Sequence, residues 1–201
     1  TINPDFSQVE VDRQVTNLSR FNLYFPERRN FFIENSDLFS DFGFRQIRPF
    51  FSRKIGLQNG SIVPMLGGAR LSGKLNKDWR IGMMNIQTGQ SNDILQQNYT
   101  VAALQRRILK NSTIGIIGLN RNSFSSSKFN TTDYNRIIGT DFNFGTLDRK
   151  WTGKAFYHHS FSPTTTTQNF THASWLAYST PSVFIMWNHE FVGQNYTADF
   201  G

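Results

Sequence analysis

The chain of 201 residues has no cysteine, only 14 Asp and Glu, and 17% charged residues, against about 25% in an ordinary soluble domain. The first absence excludes a disulfide framework and any thiolate metal or redox centre, whatever the compartment. The second makes the formal charge of +7 a shortage of acid more than a surplus of base, since Lys and Arg number 21. Also missing is any run of about 18 consecutive apolar residues, which excludes a membrane-spanning helix and leaves a β-barrel open. No charged-then-apolar leader precedes Thr1 and no terminus signal follows Thr197 to Gly201, so the sequence reads as a piece of a longer chain.

What is abundant is phenylalanine, 20 residues within an aromatic share of 15%. Charge is unevenly placed: residues 1–41 hold 7 acids and 4 bases, residues 42–201 hold 7 acids and 17 bases. This shift puts a boundary near Phe42. The N-terminal stretch mixes turn formers with aromatics, as in Asn3-Pro4-Asp5-Phe6 and Phe25-Pro26-Glu27, so 1–60 reads as an irregular segment. Within it, Gln8 to Asp12 alternates like a short strand, and Thr16 to Phe25 has the makings of a helix or a second strand.

From residue 61 the pattern becomes long two-residue alternation broken by short polar turns, the mark of consecutive antiparallel hairpins. Eight strands are expected: Val63 to Leu75, Trp79 to Thr88, Tyr99 to Leu109, Thr113 to Asn122, Asp133 to Phe144, Trp151 to Phe161, His172 to Thr180 and Val183 to Phe191. Turns within hairpins are short, whereas Gly89 to Gln97, Ser123 to Thr132 and Ser162 to Gln168 read as longer polar loops. Short turns alternating with long loops, and strands of about ten residues, fit a transmembrane barrel, whose strands need about 9–11. Soluble sandwich strands also alternate but usually run to about 5–6 residues.

A barrel also explains the missing charge, because an Arg or Lys at mid-bilayer costs about 2–4 kcal/mol and polarity must come from neutral groups. Residue parity assigns Arg70, Lys74, Asp141, Lys154 and Glu190 to the lumen. Trp79, Tyr134, Phe144, Trp151, Phe161, Trp187 and Phe191 are candidates for the aromatic girdles at headgroup depth.

Thr1-Ile-Asn-Pro-Asp-Phe-Ser-Gln-Val-Glu-Val-Asp12, Asn17 to Phe21, Phe25 to Glu34, Phe51 to Gly56 and Gly67-Gly-Ala-Arg-Leu-Ser-Gly-Lys74 carry a resemblance. They resemble the conserved stretches of a Bacteroidota outer-membrane family of unknown function. Its members place a carbohydrate-binding-family-9-like sandwich before a large C-terminal barrel. The resemblance spans Thr1 to Lys74 and implies the junction and the first part of that barrel, with more than eight strands in the whole. It implies no activity, so no catalytic residue carries over.

Chemistry is sparse. His158 and His159 are adjacent on one strand and point to opposite faces, so they cannot share a metal, and His189-Glu190 has the same geometry. Glu27 and Glu34, with Glu10 and Asp12, are better read as ion partners of Arg13, Arg28 and Arg29 than as a glycosidase dyad, which is defined by separation across a cleft. No Gly-x-Ser-x-Gly elbow occurs, and Gly67-Gly68 lacks the following helix of a phosphate loop. Arg45, Arg48, Arg53 and Lys54 interleave with Phe50 and Phe51 without forming a basic run, which argues against nucleic acid.

The expectation is therefore an all-β, antiparallel transmembrane barrel, or an incomplete part of a larger one, with residues 1–60 as plug or rim and 61–201 as hairpins. It is non-enzymatic, a channel component or a subunit of a larger outer-membrane complex. Neither cofactor nor metal is expected. The expected partners are outer-membrane lipid and lipopolysaccharide, with other outer-membrane proteins or glycans beside them. The alternative is a surface sandwich that binds or processes carbohydrate.

Overall fold

The computed structural model describes residues 27, 29–58, 61–91, 94–125, 128–164 and 167–200. Strand expectations for Gln8 to Asp12 and the element at Thr16 to Phe25 lie outside the described residues. The described part of the N-terminal stretch holds two single-turn helices, α1 (Asn30–Ile33) and α2 (Asp37–Ser40), and a 3-10 turn at Ser52–Lys54. A two-residue ladder then joins β1 (Leu57–Gln58) to β2 (Ser61–Ile62).

Eight strands follow: β3 (Met65–Lys74), β4 (Trp79–Thr88), β5 (Gln96–Ile108), β6 (Ser112–Ser125), β7 (Lys128–Gly145), β8 (Trp151–Phe161), β9 (Phe170–Ser179) and β10 (Phe184–Val192). They form one antiparallel sheet in chain order, every strand paired with its sequence neighbours. The sheet is open, because β3 and β10 are its two edges and do not pair with each other. All eight expected strands exist, but these eight alone do not close into a barrel.

Side chains close the short turns. Asn76 Oδ1 accepts the amides of Asp78 (2.9 Å) and Trp79 (3.0 Å), an Asx turn that starts β4. At the β9–β10 turn, the Val183 amide donates to Thr180 Oγ1 at 3.0 Å.

Two departures from the expected strands have physical causes. The segment Ser123 to Thr132, expected as a loop for its Ser, Thr and Asn, is mostly strand, since β6 runs to Ser125 and β7 starts at Lys128. A strand that is polar on both faces loses the hydrophobic period but keeps its ladder, and here Phe124 and Phe129 pair across it at 6.4 Å. The second departure is at the start of β3. A register shift between Met65 and Gly67 turns Met65 into the core, whereas simple alternation along Val63 to Leu75 would put it on the side of the exposed Leu71.

The core lies on one face only. Phe32, Leu38, Phe39, Phe42, Phe50 and Ile55 pack on Met84, Ile86, Val101, Ala103, Ile117, Leu119 and Ile137, which alternate along β4 to β7. Glycine makes room for the contact at two strands. A Cβ on Gly82 would fall 2.6 Å from Phe39 Cζ, and one on Gly115 would fall 2.9 Å from Phe42 Cζ. The opposite face is bare, with Leu71, Met83, Ile114, Ile116, Ile138 and Ile185 exposed.

The hairpin turns are staggered. Followed through the ladders, the last pair of β3–β4, Lys74 with Arg80, continues as Gln105, Gly115, Asp141, Phe156, Ala173 and Glu190. From that row, β5–β6 closes three residues further on at Ile108 with Ser112, β7–β8 four further at Gly145 with Thr152, and β9–β10 six further at Ser179 with Phe184. At about 3.4 Å per residue and about 4.8 Å per strand, six residues over six strand spacings is a slant of about 35°.

Candidate functional site

The covered face is held by ionic contacts as well as by apolar packing. Arg29 is 6% exposed and its guanidinium donates to the Ile55 and Ser52 carbonyls and to Glu27, the last at 2.7 Å. Burial pushes the Glu27 carboxyl up, but hydrogen bonds and charge from Arg29, with the Ser52 hydroxyl, hold it below the usual carboxylate range. Arg80 on β4 pairs with Asp37 at the start of α2 at 2.7 Å, and this bond lowers Asp37. Arg70 on β3 donates to the Phe31 carbonyl at 2.6 Å.

Further across the sheet, Asp141 on β7 accepts the Gly43 amide at 2.7 Å and His158 Nε2 at 2.8 Å, with Lys154 Nζ at 3.3 Å. Asp141 is 3% exposed and His158 fully buried. Lys154 also donates to the Asp41 carbonyl. The Asp41 carboxyl itself is raised by burial against the pull of Lys154. Phe44 meets Phe156 edge-on at 5.0 Å. Residues Phe31 to Phe44 thus touch the sheet from β3 to β8.

A second strap runs from the end of β10. Gly193 N donates to the Phe170 carbonyl at 2.9 Å, Asn135 Nδ2 to Thr197 Oγ1 at 3.1 Å, and Arg121 Nε to Asp199 at 2.8 Å. Arg121 also holds Asp133 at 2.6 Å. The strap ends with Phe200 buried against Tyr99 and Phe50, and the Phe51 amide donates to the Phe200 carbonyl.

Beyond β8 this layer thins. A cleft of about 430 Å³ lies between residues 40–48 and the inner face of β8 to β10, lined by Asp41, Arg45, Arg48, Lys154, Trp175, Asn188 and Glu190.

The outward face has a different chemistry. Of the residues in β3 to β10, only Asp133, Asp141 and Glu190 are acids, and by register all three are on the covered side. The outward rows hold Leu71, Ile81, Met83, Ala102, Leu104, Ile114, Ile116, Ile138 and Phe142 as an apolar belt. Neutral polar groups rim it at the loop end, where Asn85 Nδ2 bonds Asn98 (3.0 Å) and Thr100 (2.8 Å) and Arg136 Nε bonds Asn120 (3.1 Å). Each arginine here lies over a ring, Arg106 over Trp79 at 5.1 Å and Arg136 over Tyr134 at 4.6 Å.

Arg70, Lys74, Asp141, Lys154 and Glu190 share one side of the sheet, as parity required. Arg70, Asp141 and Lys154 engage the N-terminal segment, whereas Lys74 and Glu190 are exposed at the edge strands. The aromatic candidates are all on the other side. Trp79, Phe144 and Trp151 stand at the turn end, Tyr134, Phe161 and Phe191 at the loop end, and Trp187 between them.

His158 and His159 divide between the faces. His159, His172 and His189 are brought together outward, which alternation along single strands could not show because it needs the register of three strands. The Arg121 cluster escaped for a similar reason, since its partners Asp133 and Asp199 are remote in sequence. Glu27 does meet the expected Arg29, and the described residues give it no second carboxylate across a cleft.

No curated protein and no solved structure matches the chain. A family profile matches residues 1–199, far beyond the Thr1 to Lys74 stretch that carried the resemblance. The chain belongs to the family described as a domain of unknown function, DUF5916.

Proposed function

We propose that this chain is part of an integral outer-membrane β-barrel, non-enzymatic, serving as a channel component or as a subunit of a larger outer-membrane complex. The observation that carries the reading is the stagger of the four short turns. If all four lie at one membrane surface, the strands must tilt by about 35°, within the range of about 35–45° in transmembrane barrels. The belt supports it independently, because Met83, Leu104, Ile116 and Ile138 give hydrocarbon an apolar surface across β4 to β7.

In this reading the covered face is the lumen side and residues 27–56 are its plug. The open edges at β3 and β10 are where further strands would join. The apolar belt meets hydrocarbon, and Trp79, Phe144 and Trp151 lie at one interface with Tyr134, Phe161 and Phe191 at the other. A carbohydrate-binding sandwich is the other reading, but no specific observation favours it. The described residues supply a single large sheet, and nothing among them covers its outward face.

The direct test is extraction of native membranes with alkaline carbonate and with high salt, followed by unheated and heated gel migration. The reading expects retention in the membrane and a heat-dependent mobility shift. Release by either wash overturns it.

A further inference from the structure

Four basic side chains form a diagonal on the outward face. Arg136 on β7 is level with Phe161 on β8, and His159 is two residues nearer the turn end. His159 is level with Phe170 on β9, and His172 is again two residues nearer the turns. His172 is level with Phe191 on β10, and His189 repeats the step. The line therefore descends two residues per strand, in the sense of the staggered turns but about twice as steeply, from the loop-end margin of the belt at Arg136 to its interior at His189.

Phenylalanine caps each step. His159 packs on Phe161 at 4.6 Å, His172 on Phe191 at 5.1 Å, and His172 stacks on His189 at 5.1 Å. No outward carboxylate in β3 to β10 opposes these groups. Three imidazoles and a guanidinium standing on aromatic rings above a hydrocarbon belt form a surface whose complement is anionic at its head and apolar in its tails. Phosphate accepts the N–H donors of both side-chain types, and the rings pack against the adjoining glycerol and acyl chains.

We propose that the Arg136, His159, His172 and His189 line binds the phosphate of anionic lipid headgroups. This rests on the membrane reading and deepens it, because it assigns the lipid partner to named donors. The occupant is lipid and not free phosphate, since the line opens onto the belt and not into a cavity.

The test uses the full chain, isolated without denaturation and placed in bilayer discs of equal phosphatidylglycerol and phosphatidylcholine. Retained lipid is counted by native mass spectrometry after release from the disc. The parent protein is expected to retain phosphatidylglycerol in preference, and H159L/H172L/H189L to lose that preference by about fivefold or more, one lost hydrogen bond near 1 kcal/mol being worth about that factor. H159R/H172R/H189R keeps N–H donors at the three positions and is expected to keep the preference, which separates lost donors from lost folding. The proposal is overturned if the parent shows no preference, if the triple Leu variant retains it, or if excess inorganic phosphate abolishes it. A parent chain that stays in carbonate-washed membranes yet shows no lipid preference defeats this proposal alone. Release by carbonate defeats the membrane reading as well.

Discussion

The guanidinium of Arg106 lies 5.1 Å from the ring centre of Trp79, its directly paired neighbour across β4 and β5. The arginine is thus seated on an aromatic surface at the turn end of the belt, as Arg136 is seated on Tyr134 at the loop end. Between them the outward face carries no permanent charge in β4 to β7. This ordering makes a clear forecast for mid-belt substitutions.

Ile138 is 56% exposed, so in water its replacement by arginine should change stability by no more than about 0.5 kcal/mol. In a bilayer the same Ile138→Arg change is expected to cost about 2–4 kcal/mol. Folding yield and denaturant midpoint in lipid vesicles distinguish the two, with Asn188→Arg on the inner face of β10 as the near-neutral comparison.

Gly82 tests how the N-terminal segment docks. Gly82→Ala forces a Cβ against Phe39 and Leu38, and is expected to weaken the contact by about 1–3 kcal/mol. Gly118, whose added Cβ would meet nothing within 4 Å, is the control. Hydrogen exchange of residues 37–44 should rise in the Gly82 variant and stay unchanged in Gly118→Ala.

Asp141 ties Gly43, His158 and Lys154 together while almost fully buried. Asp141→Leu leaves Lys154 beside an apolar side chain, and an expected loss of about 3–5 kcal/mol follows from the stranded charge. Adding Lys154→Met should recover much of that loss in the same unfolding assay. A double variant no more stable than the single would remove the pair from the account.

Acid should release the segment. Glu27 and Asp37 are both held below their ordinary values, so the stabilisation they give is present above those values, 4.5 and 3.8, and is lost as pH falls through the lower native ones. Protease access to residues 29–56 is expected to rise below about pH 4. Asp41 has the opposite sign. Its raised value favours the folded form at low pH and opposes it once the carboxyl ionises, so Asp41→Asn is expected to strengthen docking at pH 7 and to do little at pH 3.

Much of the sheet was legible because alternation and turn residues are local. The polar Asn76-Lys77-Asp78 between the strands expected to end at Leu75 and begin at Trp79 marks a hairpin, and the strand limits of β4 and β8 follow from sequence alone. What could not be read depends on register. The turn stagger, the histidine diagonal and the bulge at Met65 appear only when strands are laid side by side. The polar tips of β6 and β7 were hidden because Ser, Thr and Asn serve a water-bathed strand as well as a loop. Parity groups the charges of the strands on one side of the sheet, but it cannot show their partners on the N-terminal segment, since Asp141 and Gly43 are brought together only by the fold.

Phe50 and Phe200, 6.5 Å apart between ring centres, also fix an order of events. They are separated by 150 positions, so the covered layer cannot be completed before Phe200 has been made. Its first residues must wait, held near a partly zipped sheet, until the last of these residues emerges, a delay that long-range closure makes slow. Any factor that keeps the early segment from aggregating during that wait would govern how much protein matures.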